Sequence, residues 1–71
     1  MAGTIKRGTT RMTVEFLDNR YISKYGRFNT LEKSPYSSDF IGYDLQGNPY
    51  CFMQSLIRSN PNIRVVECFA N

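Results

Sequence analysis

Between Arg11 and Phe16 every second side chain is apolar, with Met12, Val14 and Phe16 alternating with Arg11, Thr13 and Glu15. That period of two is the signature of a β-strand with one dry face and one wet face. The feature constrains the rest because a chain of 71 residues can build only one core. A core of that size supplies about 3 to 5 kcal/mol by itself, so a disulfide, a metal or self-association would matter.

Residues 1–9 show no apolar period and hold Gly3, Gly8 and two threonines, which predicts a flexible basic N-terminal arm before a single domain over 10–71. Asp18 and Asn19 suit a tight turn, and Arg20 to Tyr25 follows with β-prone residues, predicting the second strand of a hairpin. Tyr21, Ser23 and Tyr25 would then share one face, leaving Arg20, Ile22 and Lys24 on the other. Gly26 invites a bend, and Asn29 to Ser38, with Pro35 and its serines, reads as the longest loop.

Alternation resumes over Asp39 to Leu45, with Ile41, Tyr43 and Leu45 opposite Phe40, Gly42 and Asp44. Asp44 to Asn48 suits a hairpin turn in which Gly47 takes a positive φ, sending Pro49 to Met53 back as the partner strand. The same residues allow a helix capped at Asn48-Pro49, with Tyr50, Met53, Leu56 and Ile57 at helical spacing. Strand is preferred for Asn48 to Met53, since Tyr50, Cys51 and Phe52 are strand formers, with a short helical turn over Gln54 to Ser59. The final run from Ile63 to Phe69 predicts a strand buried on both faces, in a central or closed position. Aromatic content of 14%, with alanine only at Ala2 and Ala70, favours strands. The expected fold is therefore mainly β: a small five-stranded antiparallel barrel or curled sheet, with one short helix or helical turn near residues 54–59.

Catalysis is excluded as an expectation, because the chain has no histidine to serve near neutral pH and its six acids are scattered singly. Cys51 and Cys68 fit no zinc spacing. Both read as small core residues on strands, with a disulfide between them as the lesser alternative. Gly26 and Gly42 lack the spacing of a phosphate loop, so no cofactor is expected. With no secretory signal read at the N-terminus and no long apolar run, a cytoplasmic protein without membrane contact is expected.

Charge is distributed unevenly. Up to residue 33 seven cations face three acids, a net of +4, and the remainder carries −1. Basic and aromatic residues interleave in this half, giving Arg11, Arg20, Tyr21, Lys24, Tyr25, Arg27, Lys33 and Tyr36 as candidate binding residues. Such a surface neutralises phosphates while its rings stack on bases, which points to nucleic acid or a nucleic-acid-associated protein complex as partner. The alternative is a protein-interaction module, since Tyr, Phe and Arg dominate interface energetics. By analogy alone, small domains of this kind serve as phage- or plasmid-type inhibitors of host machinery. An unpaired edge strand would also permit a homodimer.

Overall fold

The strand read from Met12, Val14 and Phe16 is present and lies inside the sheet. A computed structural model describes residues 5–70. The elements run β1 (Arg11–Phe16), α1 (Asn19–Tyr25), β2 (Phe28–Lys33), β3 (Phe40–Tyr43), β4 (Pro49–Phe52), α2 (Gln54–Ser59) and β5 (Ile63–Phe69). All five strands pair antiparallel in the order β4-β3-β2-β1-β5. β4 and β5 are edges, so the layer is an open, curled sheet and does not close into a barrel.

One face of this sheet is dry. Met12, Val14 and Phe16 meet Leu31, Phe40, Phe52 and Ile63 there, and Tyr25 from α1 and Ile57 from α2 come down onto them. Burying each such aliphatic or aromatic side chain contributes about 1.5 to 3 kcal/mol. An aromatic cluster closes the α1 end: the Phe16 ring stands 5.2 Å from Tyr25, 5.5 Å from Tyr21 and 6.1 Å from Phe52. The other face carries Arg11, Thr13 and Glu15 opposite Glu32, Thr30 and Phe28. No element among the described residues covers it.

The β3–β4 hairpin forms as expected. Asp44 Oδ1 accepts N–H bonds from Gln46 at 2.9 Å and Asn48 at 2.8 Å, and Gly47 has φ +86°. β4 and α2 also match the sequence reading of strand followed by a helical turn over Gln54–Ser59.

Several expectations are overturned. Arg20 to Tyr25 is not a strand: Asn19–Tyr25 is a helix, a second one beside α2. Asp18 is its N-cap and accepts the Arg20 N–H at 2.8 Å, a role for which aspartate suits as well as it suits a turn. Gly26, at φ +87°, ends the helix and donates its N–H to the Ile22 carbonyl at 2.8 Å. Half of the loop read over Asn29 to Ser38 is strand β2, which pairs with β1 from Arg11 to Glu15. β5 is an edge strand and is not buried on both faces. A bulge opposite Thr13 and Val14 leaves Val66 exposed, and Arg64 faces Glu15 on the uncovered side. Cys51 is exposed and Cys68 half-buried, and both are free thiols. They lie on opposite edge strands, four spacings or about 19 Å apart, well beyond disulfide reach.

The predicted arm divides. Residues 1–4 lie outside the described residues. From Ile5 onward the segment is part of the fold: Ile5 packs against the core and Thr9 is buried.

Candidate functional site

The register separates the charges by face. Arg11, Arg27 and Arg64 stand with Asp39, Glu15, Glu32 and Glu67 on the uncovered face, where Glu15 receives Arg64 at 2.6 Å and Arg27 at 3.6 Å. That side is balanced at −1. Lys6, Arg7, Arg20, Lys24, Lys33 and Arg58 stand on the helix-bearing side against Asp18 and Asp44 alone, a balance of +4. The whole of the chain's net charge of +3 is thus carried by one side.

Within that side lies a cleft of about 520 Å³, lined by Lys6, Arg7, Thr9, Thr10, Lys33, Gln54 and Arg58, with Ile5 and Gly8 completing the wall. Three segments build it. Lys6 to Thr9 forms a turn closed by the Thr9 N–H on the Lys6 carbonyl at 3.2 Å, with Gly8 at φ +83°, the left-handed value a type II turn needs at its third position. The Thr10 N–H donates to Phe69 O at 2.8 Å and the Lys33 N–H to Thr10 O at 2.9 Å, which pins the turn between β5 and β2. Gln54 and Arg58, four apart, project from one face of α2. No carboxylate among the described residues lines the cleft. Its four cations repel one another, and an anion seated among them relieves that repulsion.

The structure distributes the sequence-predicted residues. Only Lys33 lines the cleft. Its ammonium donates to the Ser34 carbonyl at 3.1 Å and the Ser37 carbonyl at 2.9 Å, holding the loop that carries Tyr36. Tyr36 itself is 95% exposed. Arg20 and Lys24 sit on the outer face of α1. Arg20 pairs with Asp18 at 3.2 Å, which raises the guanidinium pKa and lowers that of the carboxyl. The Lys24 ammonium lies 4.1 Å over the Tyr50 ring, and interaction with that side chain raises its pKa. Arg11 and Arg27 belong to the uncovered face: Arg11 lies 4.6 Å over the Phe69 ring, and Arg27 pairs with Glu15. Tyr25 is buried and Tyr21 half-buried in the aromatic cluster, so neither ring presents a stacking surface. Tyr21 also receives an N–H from Asn60 Nδ2 at 3.3 Å.

Lys6, Arg7, Gln54 and Arg58 were not singled out from the sequence as one site. Gln54 and Arg58 carried a usable signal, a polar pair at helical spacing within a run already read as helical. Lys6 and Arg7 carried none, because a basic arm says nothing about where it docks. No protein-family model matches the chain, and no curated protein or solved structure is significantly similar to it.

The described residues hold no group of three or more metal-ligating side chains. Desolvation, and then the neighbouring Asp39, raise the Cys51 thiol above its usual pKa, which keeps it protonated near neutral pH and poorly nucleophilic. Among the described residues no helix is long and apolar enough to cross a membrane. Both sheet edges carry features that discourage strand addition: β5 has its bulge, and β4 is four residues long and begins with Pro49.

Proposed function

We propose that this domain binds nucleic acid through its phosphate backbone, on the helix-bearing side, and acts by occupancy without turnover. The observation that carries this reading is the cleft bounded by Lys6, Arg7, Lys33 and Arg58, with no carboxylate among the described residues that line it. Arg20 and Lys24 extend the same positive field along α1. Phosphate contacts release counterions, so each contributes about −0.7 to −0.9 to the slope of log affinity against log salt. Four cleft cations therefore predict a slope near −3.

The test is fluorescence anisotropy of a labelled oligonucleotide titrated with protein at several salt concentrations, for the natural chain and for Arg58→Glu. The reading expects a slope near −3 that becomes shallower, with weaker binding, in the variant. A flat salt response, or undiminished binding by Arg58→Glu, refutes it.

A second reading follows from a different observation. Phe28 and Tyr43 are 55% and 58% exposed on the uncovered sheet face, beside Ile41 and Thr30, as an apolar patch suited to a protein partner. On that reading Phe28→Ser with Tyr43→Ser abolishes co-purification of a stoichiometric protein and leaves oligonucleotide binding intact. Co-purification that survives both changes counts against it.

A further inference from the structure

From the loop beside the cleft we infer the class of nucleic acid: a single strand, with its phosphates in the cleft and a base stacked on Tyr36. This inference rests on the nucleic-acid reading above and narrows it. Tyr36 is almost wholly exposed and packs on nothing in the core, yet the loop holding it is extensively bonded. The Ser34 N–H donates to Asp39 O at 2.8 Å, the Tyr36 N–H to Ser34 Oγ at 3.2 Å and the Asp39 N–H to Ser37 Oγ at 3.2 Å. Lys33 crosslinks the two arms of the loop through the Ser34 and Ser37 carbonyls. A ring displayed on a braced loop loses little conformational entropy when a flat partner lands on it.

Lys33 also joins the loop to its surroundings. It lines the basic cleft on one side and, with Pro35 and Tyr43, a second depression of about 420 Å³ on the other. Tyr36 lies three residues beyond Lys33, about 10 Å of chain at most, on the loop that the Lys33 ammonium holds, so a strand leaving the cleft past Lys33 comes within reach of its ring. Reading the sequence of a duplex would need an element able to enter a major groove about 12 Å wide. The helices here have seven and six residues, and Tyr25 and Ile57 pack them onto the sheet. Unpaired bases need no such element, because any base offers a face to an aromatic ring.

The probes are a fluorescein-labelled oligothymidylate and a blunt duplex of equal length, titrated with the full chain and with Tyr36→Ala, Tyr36→Phe and Arg58→Glu. The single strand is expected to bind more tightly than the duplex. Tyr36→Ala should weaken single-strand binding about 5- to 150-fold, the loss of one stacked base, with the salt slope unchanged. Tyr36→Phe should retain binding, since the ring and not the hydroxyl does the stacking. If Tyr36→Ala binds like the natural chain while Arg58→Glu is weakened, or if the duplex is preferred, the single-strand inference falls and the phosphate reading stands. If neither probe binds, both fall.

Discussion

Replacing Gly42 by alanine adds one methyl group, and the structure determines the sign of the effect. Gly42 is not at a positive φ, so its backbone tolerates any residue. In an ordinary strand, Gly→Ala would stabilise by about 0.5 to 1 kcal/mol. Here the new Cβ points into the core, overlaps Leu31 Cδ2, and lies 3.2 Å from Asn29 Oδ1 and 3.4 Å from Phe52 Cε2. Leu31 is fully buried and has no free volume to swing into. Asn29 is held as well, because its Nδ2 donates to Tyr25 O at 3.1 Å and Tyr43 O at 2.8 Å, tying the end of α1 to β3. Overpacking of this kind costs about 1 to 3 kcal/mol. The net loss after the propensity gain is about 1 to 2 kcal/mol, a large share of the roughly 3 to 5 kcal/mol a core of this size supplies.

Urea unfolding followed by circular dichroism measures that loss, and a melt should show a midpoint lowered by about 5 to 15 °C. Leu31→Ala by itself should cost about 2 to 5 kcal/mol through the cavity it leaves. Combined with Gly42→Ala it should cost less than the sum, because the methyl occupies part of that cavity, with a coupling of about 1 kcal/mol or more. A Gly42→Ala protein at least as stable as the natural chain, or strict additivity of the pair, would refute the packing argument.

Two further outcomes are expected. Asp18 and Asp44 have pKa values below the ordinary 3.8, Asp18 through the Arg20 side chain and backbone and Asp44 through the Asn48 N–H. A depressed folded-state pKa contributes stability that is present above the ordinary value and lost as pH falls through the folded one. The urea midpoint should therefore decline below pH 3.8, and Asp44→Asn should remove its share of that decline. A midpoint that rises through this acid range contradicts the assignment. The thiols supply the other test: oxidation of the folded monomer should form no bridge between Cys51 and Cys68, as read from its intact mass, and Cys51→Ser should leave the melt unchanged. A monomer lighter by the two thiol hydrogens would show that the sheet edges can meet.

The sequence by itself determined the elements whose residues admit one backbone only. Met12, Val14 and Phe16 fit a strand with one dry face, Asp44 with Gly47 fits one hairpin turn, and Gln54 to Ser59 fits a helical turn after a strand. Arg20 to Tyr25 was ambiguous for a physical reason. Residues four apart share a face in a strand and in a helix, so Arg20 with Lys24, and Tyr21 with Tyr25, are grouped identically by both. Packing decided between them: as a helix, the segment buries Tyr25 against Phe16 and Phe52 and sends both cations outward.

Strand β2 was hidden because only Leu31 of its inward positions is a buried apolar residue, and its place between β1 and β3 comes from pairing that local pattern does not encode. The cleft is likewise a product of tertiary structure. Lys6, Arg7, Lys33 and Arg58 are spread over more than fifty positions of chain, and only the docking of the first turn between β5 and β2, beneath α2, makes them neighbours. Sequence records how many cations a chain carries; folding separates those paired with Glu15 from those gathered around one cleft.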